Sequence, residues 1–353
     1  MTGISLCMIV RDEEAVLERC LRSIRPYVEE IIIVDTGSAD STKQIAARFA
    51  AEIFDYPWGE DFAAARNFAF SKGKEPFLMW MDADDVLPAG EGEKLLALKA
   101  ELENWDTVML PYDAAFDEAG KPTFSYERER LVRNTPEAKW VGFVHEVIVP
   151  FGRVKRADIH VEHRKAAEGD SDRNLRIYEK HLAQGEMLDA RGQFYYGREL
   201  LHHRRFAEAE AVFRQFLQRA DGWLENKLEA VRLRAACLEE MGEKEAALSV
   251  LLEGLRLAPP TGEHCCALGR FFLERQEWET AAFWYQNALH SEKRQGAFVQ
   301  EECYGYLPCI QLCVCYDRLG ERERAEMYNE MAGVLQPDSQ AVAWNRAYFR
   351  GKK

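Results

Sequence analysis

Between Ile4 and about His163, short apolar runs alternate with amphipathic ones. Ile4–Val10 reads as a strand, and Glu13–Ile24 as a helix with Val16, Cys20, Leu21 and Ile24 on one face. Ile31-Ile32-Ile33-Val34 is a β-branched strand that ends at Asp35. The turn Thr36–Ser41 is rich in helix-capping residues, and Thr42–Phe49 follows as a helix. Ala51–Phe54 reads as a short strand, Phe62–Ser71 as a helix, and Phe77–Met81 as a strand buried on both faces. Strand and helix in this order predict an α/β sheet with parallel pairs. Val108–Tyr112, Glu129–Asn134 and His145–Val149 predict further strands, making the sheet mixed.

From about Ala190 the strand signals vanish. Small residues recur instead at related offsets: Gly197 then Ala209 and Phe213; Ala235 then Gly242, Ala247 and Leu251; Gly269 then Ala281, Tyr285 and Ala288; Cys313 then Gly320, Ala325 and Ala332. The period is close to the roughly 34 residues of tetratricopeptide repeats, in which paired helices bury their faces only by stacking on the next pair. Gln340–Phe349 is expected to cap the array, and Trp223, Trp278, Trp284 and Tyr285 to fill its core or line a groove. The polar stretch Asp170–Gln184, preceded by Ala166-Ala167-Glu168-Gly169, is expected to join the halves. The expected organisation is 1–165 as the α/β domain, 166–189 as a helical linker and 190–353 as the repeats.

Composition narrows the class. A net charge of −14 disfavours a nucleic-acid binder, which needs a basic face. No apolar run approaches the roughly 18 residues of a membrane span. The N-terminus has no basic region ahead of its first strand, so no signal peptide is expected. Nine cysteines without a Cys-x-x-Cys pair predict buried reduced thiols and a cytoplasmic protein.

The chemistry concentrates in Met81-Asp82-Ala83-Asp84-Asp85, at the end of the Phe77–Met81 run. If the strand continues, Asp82 and Asp84 point the same way. Like charges that close are tolerated when a cation sits between them, and oxygen ligands suit a hard divalent ion. Open sheets bind ligands at the carboxyl ends of their strands, so a metal-assisted site for a phosphate-bearing substrate is expected.

Four motifs together resemble the family 2 glycosyltransferases: Met8-Ile9-Val10-Arg11-Asp12-Glu13-Glu14, Val34–Thr42, Ala65-Arg66-Asn67 and Met81–Asp85. The resemblance covers almost all of the first half. It implies the GT-A nucleotide-sugar-binding fold and inversion at the anomeric carbon. It is strongest to a branch that includes lipopolysaccharide-core glucosyltransferases and bacteriocin S-glycosyltransferases, some with helical-repeat tails. It implies a UDP-sugar donor with Mn2+ or Mg2+, held by Asp84 with Asp82 and with His163 as a late ligand. Asp35 would meet the base, Arg66 the base or phosphates, and Val10, Arg11 and Glu13 would line the nucleotide. The Glu-Asp pair that serves many relatives as base is missing between Leu131 and Val149. Trp140-Val141-Gly142-Phe143-Val144-His145-Glu146 stands there instead, which leaves Glu146 and His145 as candidate catalytic bases.

The expected activity is transfer of a hexose to a protein or peptide acceptor recruited by the repeats, which could alternatively mediate homodimerisation. A lipid-linked or cell-surface saccharide acceptor is a second reading. A non-catalytic scaffold with a relic first half is a third.

Overall fold

The computed structural model describes residues 2–116, 120, 122–164, 172–294 and 299–351. The chain divides into two compact units, Met1–Met187 and Leu188–Lys353. The joint at Ala166-Ala167-Glu168-Gly169 and the 165/166 boundary lie outside the described residues.

The first unit is built on strands β1 (Ile4–Val10), β2 (Glu30–Asp35), β3 (Glu52–Asp55), β4 (Phe77–Trp80), β5 (Asp85–Val86), β6 (Thr107–Phe116), β7 (Pro122–Arg133), β8 (Trp140–Val141), β9 (Val147–Ile148), β10 (Val154–Arg156) and β11 (Val161–His163). Its helices are α1 (Leu17–Ile24), α2 (Thr42–Arg48), α3 (Phe62–Phe70), α4 (Glu91–Lys99) and α5 (Arg173–Ala183). The main sheet runs β3-β2-β1-β4-β7-β6-β11-β5, with β10 beside β6. β3, β2, β1 and β4 are parallel, as the strand–helix alternation predicts. β7 pairs antiparallel with both β4 and β6, so the sheet is mixed. It is the GT-A-like arrangement: a parallel half continued by an antiparallel half. Ile4, Leu6, Met8, Ile33 and Met79 are wholly buried on one face and Ile32, Val34 and Trp80 on the other, which is why these strands read as continuous apolar runs.

Three elements differ from the sequence reading. Helix α1 begins at Leu17 rather than Glu13, because the Glu13 and Glu14 amides donate to Thr42 Oγ1 (2.8 Å) and Asp40 Oδ2 (3.0 Å) of the neighbouring loop. β7 starts earlier than expected and forms a long hairpin with β6. The stretch His145–Val149 yields only the short β9, paired to β8, and His145 sits in a left-handed conformation with φ +52°.

The second unit contains helices α6 (Ala190–His202), α7 (Phe206–Leu217), α8 (Leu224–Glu240), α9 (Lys244–Gly254), α10 (Gly262–Glu274), α11 (Trp278–His290), α12 (Tyr306–Arg318), α13 (Arg322–Leu335) and α14 (Gln340–Gly351). The pairs α6/α7, α8/α9, α10/α11 and α12/α13 turn at Arg204, Gly242, Gln276 and Gly320, each with φ between +59° and +81°. The repeat is thus visible in backbone geometry even where the turn residue is not glycine. Ala209, Ala247, Ala281 and Ala325 are all fully buried where the helices cross. A side chain at Gly269 would strike the Tyr285 ring at 2.9 Å, which explains the small residue at that repeat position. Tyr285 is core, whereas Trp223 is half exposed. All nine cysteines are buried and unbridged. No helix among the described residues is long and apolar enough to cross a membrane.

Candidate active site

The site forms where β1, β2 and β4 end. β4 stops at Trp80, so the acidic residues lie in a turn closed by the Asp85 amide donating to the Asp82 carbonyl (3.0 Å). They do not alternate along a strand. The turn sends Asp82 and Asp84 to different partners.

Asp82 accepts from Arg66 Nη2 at 2.6 Å, and Arg66 Nε donates to Glu146 Oε1 at 2.6 Å. The Arg66 guanidinium is nearly buried, lying 5.1 Å from the Trp80 ring centre and 4.8 Å from that of Trp140. Burial disfavours ionised Asp82, but Arg66 and Arg130 outweigh it and pull the carboxyl down to about 2. Helix α3 delivers Arg66. Its N-terminus is capped by Asp61, which accepts from the Ala64 amide at 2.8 Å. The next residue, Asn67, exchanges two 2.9 Å hydrogen bonds with the backbone of Trp140, so helix and loop are fastened side by side.

Asp84 and Asp85 meet His163 at the end of β11. His163 Nδ1 lies 3.4 Å from Asp84 Oδ1 and 3.6 Å from Asp85 Oδ1. One ligand atom from each of the three residues falls within 4.8 Å of the others. Asp85 is fully buried: it accepts from Arg130 Nη1 (2.8 Å), the Asp82 amide (3.0 Å) and the Tyr112 hydroxyl (2.9 Å). Its charge is already matched by Arg130, so Asp85 braces the turn. Asp84 and His163 retain partial exposure, and contact with the Asp84 and Asp85 carboxylates pushes the imidazole up to about 10. A carboxylate oxygen and an imidazole nitrogen converging there fit a first-row divalent cation.

Glu13 belongs to the same electrostatic field. Burial, then Asp84 and Asp82, push its carboxyl up to about 7. A carboxyl raised in the folded state stabilises the protein below its ordinary value, about 4.3, and that contribution is lost as pH rises through 7. In EDTA, stability should therefore fall between about pH 5 and 8, and Glu13→Gln should flatten that slope. Parallel melting curves for the two proteins would refute the coupling.

Asp35 closes the other side. Its carboxylate is buried, and its Oδ2 accepts from the Gly37 and Ser38 amides at 3.1 and 3.0 Å. Burial opposes the charge, but these hydrogen bonds and Lys43 hold the carboxyl below its usual range. Asp35 Oδ1 has no partner. Asp40 accepts from the Thr42 amide at 2.9 Å, so the start of α2 is served without Asp35. Val10 lies opposite Asp35 in the sheet, and its carbonyl accepts from the Thr36 amide at 2.9 Å. Arg11 is exposed and lies 3.8 Å from Asp12.

The structure thus joins Asp82, Arg66 and Glu146 in one group and Asp84 and His163 in another, with Glu13 beside both. It adds Asp85, Arg130 and Tyr112, which the sequence reading did not single out. The alternation Glu127-Arg128-Glu129-Arg130 in a strand was the available signal for a charge on the inner face.

A mixed sheet with acids at the ends of its parallel strands, flanked by Arg66 on α3 and His163 on β11, is a GT-A-like unit, here followed by helical repeats. Residues 5–161 match the model of glycosyl transferase family 2, and the first unit is a domain of that family. A TPR repeat-containing protein of Synechococcus elongatus is 35% identical over 42% of this chain and 36% of its own length. The SPbeta prophage-derived glycosyltransferase SunS of Bacillus subtilis is 27% identical over 55% of this chain and 48% of its own. The chain therefore spans a third to a half of these curated relatives. Among solved structures, S. aureus TarS aligns at 12% identity and a TM-score of 0.41, over 69% of this chain and 54% of that one.

Proposed function

We propose that the protein is a metal-dependent, inverting glycosyltransferase that moves a hexose from a UDP-linked donor to a protein or peptide acceptor recruited by the repeats of residues 190–353. The observation that carries this reading is the convergence of Asp84 and His163 Nδ1 beside the Arg66-bridged pair of Asp82 and Glu146. Asp84 and His163 would hold Mn2+ or Mg2+. When bound, that cation neutralises charge developing on the departing diphosphate. Asp35 Oδ1, a buried acceptor with no donor, suits the N–H edge of a uracil-like base. Val10, Arg11 and Glu13 would border the nucleotide, and Arg66 keeps Asp82 ionised beside it.

The acceptor proton has two candidate takers on one loop, His145 and Glu146. Loss of a true base costs about 10²- to 10⁴-fold. His145→Asn and Glu146→Gln should therefore differ sharply in kcat. Equal and minor losses would place the base outside this loop.

In the repeat unit, a groove of about 490 Å³ bordered by Glu210, Arg214, Arg234 and Glu253 is large enough for a peptide side chain or two. The test is a nucleotide-release screen of UDP-sugars with and without divalent cation, followed by intact-mass analysis of peptides and oligosaccharides. Cation-independent release, or none from any donor, overturns the reading. Labelled oligosaccharide with unlabelled peptide replaces the acceptor class.

A further inference from the structure

We propose that helix α5, through His181, is a positioning element of the transfer site. This rests on the glycosyltransferase reading above. Helix α5 lies within the first unit and grips two loops that flank Arg66 and Glu146. On one side, His181 stacks flat on Phe143, with ring centres 4.0 Å apart and planes 4° off parallel, and Tyr178 meets the same ring edge-on at 5.3 Å. Phe143 stands two and three residues before the candidate bases His145 and Glu146. On the other side, His181 Nε2 lies 3.1 Å from the Glu60 carbonyl, and Lys180 Nζ lies 2.5 Å from the Glu60 carboxylate. Glu60 immediately precedes Asp61, the cap of the helix that carries Arg66. A further bond closes the frame, since the Phe62 amide donates to the Phe143 carbonyl at 2.9 Å.

Both gripped loops are strained. Glu60 has φ +62° and His145 φ +52°, a conformation that L side chains adopt at a cost and keep only where surroundings impose it. His181 is nearly buried, and its Nδ1 lies 3.0 Å from Glu186 Oε2, so the ring cannot rotate away without losing both the Phe143 stack and the Glu60 contact. The Arg66–Glu146 contact joins the helix that follows the first loop to the second loop, and the His181 ring touches both loops. Displacing it would shift Glu146 relative to Arg66 while leaving Asp84, His163 and Asp35 untouched.

The test compares His181→Ala with His181→Phe in the full chain. His181→Ala should lower kcat about 10- to 100-fold, the cost of misplacing a reacting group by about 1 Å, with the donor KM within about twofold of wild type. His181→Phe keeps the ring stack on Phe143 but not the contact with the Glu60 carbonyl, so it should recover only part of that loss. Hydrogen exchange supplies a readout independent of turnover: His181→Ala should speed exchange in residues 58–66 and 140–148 and leave 77–86 unchanged. Wild-type kcat and unchanged exchange in His181→Ala would overturn the proposal, as would uniform acceleration across the unit. If the wild-type protein turns over no donor, the exchange pattern alone decides the positioning role, and the failure belongs to the functional reading.

Discussion

Asp84→Ala should lower cation-dependent donor turnover by about 10²- to 10³-fold, since a Lewis acid at a leaving phosphate contributes several kcal/mol. The fold should survive. Asp84 is partly exposed, and its carboxylate faces Asp82 and Glu13 as well as His163 Nδ1 at 3.4 Å, so its removal relieves repulsion and loses an ion pair together. The variant should melt close to wild type in EDTA. It should also lose the rise in melting temperature that UDP with Mn2+ gives a protein binding them only when folded. Turnover near the wild-type rate, with the metal response retained, would remove the cluster from the chemistry.

The largest effect on stability is expected from Arg130→Met. Arg130 and Asp85 form an ion pair with neither side chain exposed, at 2.8 Å. The guanidinium lies 3.7 Å from the Trp80 ring centre and 4.4 Å from that of Tyr112. Removing the arginine leaves an unpaired carboxylate in a fully buried site, which costs about 3–5 kcal/mol. Asp85→Asn combined with Arg130→Met should recover part of the loss, because no uncompensated charge remains. Urea unfolding of the two variants measures both effects. A single variant as stable as wild type would mean that the turn holding Asp82 and Asp84 does not depend on this pair.

The fold was largely legible because its signals are local. β-branched and apolar runs with helices between them give parallel strands, and small residues at fixed offsets give stacked helix pairs. The acids at the end of β4 and the lone Asp35 at the end of β2 were legible for the same reason: each stands where a strand pattern stops. The geometry of the acids was not. Strand alternation would put Asp82 and Asp84 on one face, whereas the turn after Trp80 sends one to Arg66 and the other to His163. Asp85 read only as the third acid of the cluster and is a fully buried brace, because Arg130 arrives from β7, distant in sequence.

Local sequence by itself determined which residue types stand at the mouths of the strands, because hydrophobic period and capping chemistry act over a few residues. Tertiary structure alone decided which charges meet. Arg66 and Glu146 are 80 positions apart, and no periodicity carries information over that separation. Helix α5, which read as a polar joint, stacks His181 on Phe143 instead, because half-buried rings find their partners through the packing of the whole unit.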